Sequence, residues 1–499
     1  MPSSTDPSSS TTPSLSNHPT TIQTPSDISR HWQIIRSKTG RSEANSRLVQ
    51  TFGVDNIFTN TDDQQYKTQF KKDAIQKMRV AKLPELIRAA RDARDEFICY
   101  HHMKENEIGM TAGTVKLAEL TEFVTLKVSL VYLFPGSAPG WNGPRSFENI
   151  ALIGQRINEL WIASKTENPP SWAEQTELHQ ALREVTATSS FPVLRILARW
   201  LPLAVHEWLA NQYPALGLKV DGEDPDPLIP RRNPMNWLLP AYETMWRAVM
   251  RCVMEIRFRD AANGAAWEGV LRDFLAAPTE AGKFRASGEH GVSALDIVME
   301  ILRLYPPSKR VRRQDPGNGT LEADIELCHH SAVLSGSDPF SFRPERWGEI
   351  NQEIENELRG ELGDEMYDTL GPKRKKEMIK AAQGKRGFDP FASHCPAGKG
   401  DTETFGMKMI AVLTAVLCEG LEGWERKPEW RLPQVGEKLC SNRESYLGLE
   451  VVRRSELEVE YENGVIEGDE MWEATEEETD NETDEETEEA PGGYWMHGP

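Results

Sequence analysis

Between Ile28 and about Leu275 the chain repeats apolar residues at helical spacing, with charged and polar positions filling the opposite faces. Leu83 to Ile98, Leu117 to Phe134, Phe147 to Ser164, Trp172 to Thr186, Phe191 to Ala210 and Asn236 to Arg257 each predict a helix with one face turned to a core. Turns separate them, such as Pro135-Gly136 and the acidic, Pro-rich run from Asp221 to Pro230. Ser293-Ala294-Leu295-Asp296 has the spacing of a capping box and opens a further helix that stops at Pro306-Pro307. Beyond the prolines, Ala323 to Cys328 and Ser331 to Leu334 are short and alternate as strands do. A charged helical stretch from about Glu349 to Gln383 follows, then an apolar helix from Glu403 to Leu421. Tyr446 to Val452 and Glu456 to Tyr461 read as a last pair of strands. The fold class predicted is mainly α with small β-sheets (α+β).

The two ends break this pattern. Met1 to about Ser26 is rich in Ser, Thr and Pro and cannot bury enough apolar surface to offset its ordering entropy, so residues 1–27 read as a disordered N-terminus. The formal charge of the 499 residues is −21, but 18 of the 78 acidic residues lie between Glu456 and Glu489 and none of the 57 basic ones follows Arg454. The remainder therefore carries only −3. Residues 456–499 read as an acidic disordered tail, a solvated solubility segment with a partner-binding arm as the alternative. Residues 28–455 read as one large domain, nearly neutral, which argues against nucleic-acid binding.

Six cysteines are scattered without a CxxC pair and the first residues show no apolar signal segment, which points to a reduced, cytoplasmic setting. No apolar run reaches the roughly 20 residues that a spanning helix needs. The nearest, around Val124 to Phe134, is short and interrupted by Lys127, so no transmembrane anchor is expected in the chain.

The candidate chemistry centres on Cys395, in Phe388-Asp389-Pro390-Phe391-Ala392-Ser393-His394-Cys395-Pro396-Ala397-Gly398, just ahead of the apolar helix. A cysteine ligates a metal as thiolate, and a helix N-terminus is a usual place to favour that charge. The alternative is an inert buried cysteine. Glu300 and Arg303 stand one helical turn apart and, if buried, need a further partner, for which Arg346 is the candidate; otherwise they are a solvated surface pair. Pro240 lies in an otherwise apolar helix and would kink it beside Glu243 and Thr244, an acid and a hydroxyl suited to moving protons. The plain alternative puts Pro240 in a first turn and makes the other two capping residues. Lys309, Arg310, Arg312 and Arg313 could clamp carboxylates or form a solvated basic turn. His101-His102 and His329-His330 read as solvated or hydrogen-bonded histidines rather than metal ligands. There is no HExxH, P-loop, GxSxG or nucleotide-binding GxGxxG.

Taken in order, these motifs resemble the cytochrome P-450 superfamily, particularly its fungal members, from roughly Arg47 to Val452. The resemblance implies a helical fold around a buried heme b, with Cys395 as axial thiolate and Glu300, Arg303 and Arg346 (of Phe342-Arg343-Pro344-Glu345-Arg346-Trp347) as the structural lock of the heme-binding core. It implies that Glu243 and Thr244 deliver protons to dioxygen and that Arg313 holds a heme propionate. The reaction implied is insertion of one oxygen atom from O2 into an apolar small molecule, in fungal secondary metabolism, with electrons from an NADPH-dependent reductase.

The sequence departs from the family pattern at several places. Phe391, Ser393 and Ala397 stand where the heme loop has Gly, Arg and Gly; in the alternative alignment Pro390-Phe391 is the family's Pro-Phe pair and the loop is three residues shorter, and in both the usual cation is missing, with His394 a candidate substitute. Tyr66 and Phe70 replace a Trp and an Arg, with Lys67 or Lys71 to compensate, and 348–385 reads as an insertion. No counterpart of the family's N-terminal anchor is expected in this sequence, which leaves open a soluble form, peripheral at the endoplasmic reticulum at most, or a truncated gene model. Two alternatives stay open. One is heme-thiolate isomerase, dehydratase or desaturase chemistry without net oxygenation; the other is a heme-less, non-catalytic binding protein.

Overall fold

Two helices that are apolar nearly all round set the layout, because such helices must be covered on every side. One is Leu117–Leu133, with all but three of its residues buried; the other is Phe405–Gly420, buried from Met409 to Cys418. The computed structural model describes residues 20–31, 42, 45–60, 63–108, 113–137, 144–187, 225–259, 263–288, 291–315, 319–390, 404–427, 430–432 and 448–454. The chain divides into two units, Met1–Arg454 and Ser455–Pro499, the second lying outside the described residues. No helix among the described residues is long and apolar enough to cross a membrane.

The main helices are α1 (Ser46–Phe52), α2 (Gln64–Val80), α3 (Leu83–Ile108), α4 (Leu117–Leu133), α5 (Pro144–Ala163) and α6 (Thr176–Thr186). A long rod, α7, spans residues 235–258; then come α8 (Gly264–Ala276), α9 (Ala294–Leu304), α10 (Arg346–Leu362), α11 (Pro372–Lys385) and α12 (Phe405–Gly420). Helix α12 is wrapped by α3, α7, α8 and α9, and α4 by α3, α5 and α7. Lys127, the charge that interrupts the apolar run of α4, finds Glu96 of α3. A buried charge is tolerable when it is paired in this way.

The rod is not a uniform α-helix. It runs as Met235–Leu238, a π turn at Leu239–Glu243, regular helix at Thr244–Val253 and a second π turn at Met254–Phe258. Pro240 therefore sits inside a continuous helix and not at its start, and the π turn absorbs the hydrogen bond that its ring nitrogen cannot donate. The far end of the rod is pinned by buried Glu255, which accepts from Arg259 Nε (2.6 Å) and from the hydroxyl of Tyr305 (2.7 Å), just beyond α9.

Two three-stranded sheets flank the helices. In one, β3 (Arg310–Asp315) pairs antiparallel with β4 (Gly319–Asp324), which pairs parallel with β1 (Thr20–Ile22). In the other, β6 (Glu450–Arg453) lies between β2 (Thr114–Lys116) and β5 (Trp424–Arg426). The expected strand at Ala323–Cys328 is half right: β4 ends at Asp324, whose side chain accepts from the Leu327 amide and caps a short helix, Ile325–His329. Ser331–Leu334, expected as strand, is mostly the short helix Ala332–Ser335. In segments this brief, alternation cannot be told from one helical turn. The N-terminal boundary also moves: β1 and the short helix Pro25–Arg30 bury Ile22 and Ile28 against Val311, Leu321 and Ala323, so ordered structure starts before residue 28. The expected helix at Phe191–Ala210 and strand at Glu456–Tyr461 lie outside the described residues.

Gly53 closes α1 at φ +60°, and a Cβ there would come within 2.2 Å of the Trp172 ring, whose Nε1 donates to Pro227 O at 2.8 Å. Gly282 has a similar φ of +84° with open space around it. Gly282→Ala should cost about 1–2 kcal/mol, the backbone penalty alone. Gly53→Ala should lower the thermal midpoint by clearly more, read by circular dichroism on both variants.

Candidate cofactor cavity and the buried charge lock behind it

Helix α9 starts with the predicted capping box, Ser293 and Asp296 exchanging side-chain and backbone bonds, and this fixes the rotation of the face that carries Glu300 and Arg303. Both are fully buried, as is Arg346 at 1% exposure. Arg303 donates Nε to Glu300 Oε2 (2.9 Å) and Nη2 to Oε1 (2.8 Å), the bidentate geometry of a strong pair. Arg346 Nε reaches the same Oε1 at 3.2 Å, and the Arg343 amide does so at 3.0 Å. The spare guanidinium N–H groups go to Ser335 Oγ, Pro339 O and Ser341 O from Arg303, and to Asp338 Oδ1 (2.9 Å), Asp338 O and Ser335 O from Arg346. Asp338 completes the charge count, and its carboxyl is held below the usual range by Arg346 despite partial burial. The expected contact of Arg346 with the Glu300/Arg303 pair is present, and the surface-pair alternative is excluded by burial.

Behind the lock lies His329, with no exposed surface. Its Nδ1 is 3.2 Å from the carbonyls of Leu302 and Arg303, and its Nε2 is 2.9 Å from the amide nitrogen of Asp389. Carbonyls only accept and an amide N–H only donates, so the ring is the neutral Nδ1–H tautomer. Burial, reinforced by the neighbouring His330 and Arg303 charges, pushes its pKa down to about 3. Ser335 joins the two groups, donating to His329 O (2.7 Å) while accepting from Arg303. His329 thus ties the C-terminal end of α9 to Asp389, six residues before Cys395. Its reading as a hydrogen-bonded histidine holds, but its link to the Cys395 segment carried no sequence signal.

A cavity of about 2180 Å³ opens beside these elements. Glu243 and Thr244 of α7 line it, together with Leu295 and Met299 of α9. Asp389-Pro390 and Thr404-Phe405-Gly406 line it as well, so both flanks of 391–403 reach its wall. Cys395 and His394 themselves lie outside the described residues. Among the described residues α12 begins at Phe405, so the expected helix N-terminus directly after Cys395 is not part of the described structure.

Glu243 is buried and bound by Arg247 one turn on, Nη2 to Oε2 at 3.3 Å. Burial lowers the Arg247 guanidinium to about 10. The i,i+4 spacing of this pair was legible in the sequence, and it is an addition to the predicted site. Phe70 does not face a cation's role: its ring stacks on Trp237 at 4.0 Å with a 6° tilt.

Arg313, expected as a propionate ligand, is buried at 6% and does not line the cavity; its Nη1 donates to the Arg312 carbonyl at 2.7 Å, and burial lowers its pKa to about 10. Lys309 and Arg310 line the cavity instead. Strand pleating separates Arg310 from Arg313, because Arg313 shares a face with buried Val311 while Arg310 points the other way; Lys309 precedes the strand.

The three buried cysteines among the described residues are poor ligand candidates. Burial pushes the Cys252 and Cys328 thiols up to about 12 and raises Cys418 well above the ordinary value.

No family model matches the sequence, and no curated protein does. Solved structures similar to the chain include ligand-free cytochrome P450 OleT, at 13% identity over 87% of both chains with a TM-score of 0.44. A substituted cytochrome P450 OleT in complex with arachidonic acid gives 13% identity, 87% of both chains and 0.43. A substituted cytochrome P450SP alpha gives 13% identity, 87% of this chain, 89% of that chain and 0.42.

His329 yields a pH prediction. Its folded pKa lies below the unfolded value near 6.5, so below that pH the unfolded chain takes up a proton that the folded one refuses. Stability should fall by up to ~1.4 kcal/mol per pH unit from about 6.5 towards 3 on account of this residue. His329→Gln, which keeps an acceptor for the Asp389 amide but does not titrate, should show a shallower acid limb in thermal melts. His329→Asn, too short to reach Asp389, should in addition speed amide hydrogen exchange in the peptide containing Asp389.

Proposed function

We propose that the chain is a heme-thiolate enzyme of the cytochrome P-450 type, with Cys395 as the axial ligand, acting as a monooxygenase on an apolar small molecule. The observation that carries this reading is the meeting of sequence-distant elements at one cavity: Glu243 and Thr244 from the π-kinked rod, and the two flanks of the segment that holds Cys395. The lock of Glu300, Arg303 and Arg346 supports it, since its three buried members have the spacing that drew the resemblance.

The residues present fit iron protoporphyrin. The macrocycle needs a broad apolar slot, and Phe70, Trp237, Leu239, Met245, Met299 and Phe405 supply flat or flexible apolar wall. Its carboxylates need cations at one edge, and Lys67, Lys71, Lys309 and Arg310 line the same cavity. In this reading those four take the place proposed from the family pattern for Arg313, with His394 a further candidate from the loop. When bound, heme with a thiolate ligand supplies the activation of dioxygen.

The chain's own contributions are then distinct. Thr244, partly exposed and lining the cavity, offers a hydroxyl that can both donate and accept, and Glu243 beside it, once its carboxylate has taken up a proton, can pass that proton on. The π turn places both on the wall, where a straight helix would direct them differently. The apolar wall admits an apolar substrate and keeps water away from it. Electrons come from a separate NADPH-dependent reductase, and fungal secondary metabolism is the setting that the resemblance suggests.

A second reading has one observation in its favour. Arg247 engages the Glu243 carboxylate, which weakens its use as a proton source and suits heme-thiolate isomerisation, dehydration or desaturation without net oxygenation.

The reduced, carbon monoxide-treated protein tests the first reading. A Soret band shifted strongly to the red, lost in Cys395→Ala, is the expected result; an unchanged band in that variant contradicts it. Reductase-dependent oxygen consumption should also fall by roughly 10²-fold or more in Thr244→Ala, the scale of a lost general acid. A heme-loaded protein that turns substrate over without consuming oxygen would favour the second reading.

A further inference from the structure

Of the described residues that line the cavity, twelve are Lys or Arg and four are Asp or Glu, in a chain whose net charge is −21. Most of these cations have an assigned neighbour. Arg247 meets Glu243; Lys309 meets Glu326 at 2.7 Å; Arg310 lies 3.6 Å from both Glu322 and Asp324. Arg47 differs. It is half-buried just inside the start of α1, its guanidinium carbon 5.8 Å from the centre of the Trp161 ring, and among the described residues no carboxylate or carbonyl accepts from it.

What surrounds Arg47 disfavours its charge. Burial lowers its pKa and the charge of Arg312 lowers it further, with no opposing contribution from any acid. Burying a guanidinium costs several kcal/mol unless its N–H groups and its charge are met. The Trp161 ring lies 5.8 Å from the guanidinium carbon and can hold the cation without using its N–H donors, and a guanidinium fork takes a carboxylate through two parallel hydrogen bonds. The wall beside it is apolar, with Leu48, Val54 and Phe58 all lining the cavity.

We propose that Arg47 is a carboxylate-binding site of this cavity, clamping the anionic end of a molecule whose apolar body lies along the neighbouring wall. Two sources share that chemistry: a porphyrin carboxylate, or the acid group of an amphipathic substrate. The proposal rests on the cavity being a ligand site, as argued above, but not on heme being the ligand.

The full-length protein and Arg47→Leu are titrated with four probes: hemin, hemin dimethyl ester, decanoate and decan-1-ol. Calorimetry reads the aliphatic pair and absorbance reads the porphyrins. A porphyrin source predicts that Arg47→Leu weakens hemin by about tenfold or more and leaves the diester unchanged, the scale of a lost charge-assisted pair. A substrate source predicts the same selective loss for decanoate against decan-1-ol, with hemin unchanged. Arg47→Lys, which keeps the charge but not the fork, should lose less in whichever arm responds. Equal behaviour of acid and neutral probe in both pairs, in a variant whose thermal midpoint matches the parent, overturns the proposal. If the parent chain binds neither porphyrin, the heme reading fails, while the decanoate arm still decides the role of Arg47.

Discussion

One carboxylate, that of Glu300, is shared by two buried guanidinium groups, and the rest of the site hangs on that arrangement. Removing water from three charges is expensive, and it is offset only because nearly every N–H has an acceptor and Asp338 supplies the second negative charge. The geometry also sets positions. Helix α9 is fixed by Glu300 and Arg303, the Ser335–Ser341 turn by its carbonyls, and α10 by Arg346 at its first residue. A network with this many satisfied groups has few alternative packings, so it acts as a rigid anvil and not only as a source of stability.

His329 carries that rigidity forward. It reads the end of α9 through two carbonyls and passes the position to the Asp389 amide, so the chain leaves the lock at a defined place before entering 391–403. Elsewhere on the cavity wall the π turn of α7 does comparable work for Glu243 and Thr244. Two held elements therefore contribute to the wall of one cavity, together with apolar side chains and an excess of cations. That combination suits a flat, largely apolar ligand bearing carboxylates.

Much of this was legible in the sequence where a pattern was long or had a spacing rule. The helices at Leu83, Leu117, Phe147 and Asn236 follow from apolar periodicity, the start of α9 from Ser293 and Asp296, and the lock from Glu300, Arg303 and Arg346. What was not legible depends on contacts between distant segments. Strand register decides that Arg310 lines the cavity and Arg313 does not, and four residues of alternation at Ser331 could not reveal a helix. The pairing of β1 with β4 rests on Thr20–Ile22, three residues within a stretch whose composition reads as disorder. Arg47 is one arginine in an ordinary sequence context; only its half-burial without an acceptor marks it.

Iron K-edge X-ray absorption on the purified, heme-loaded protein and on Cys395→Ala tests the central claim most directly. The account predicts one sulfur bonded to the iron along with the porphyrin nitrogens in the parent, and its replacement by nitrogen or oxygen in the variant. Iron bonded only to nitrogen or oxygen in the parent, or a sulfur signal that survives the substitution, would contradict it.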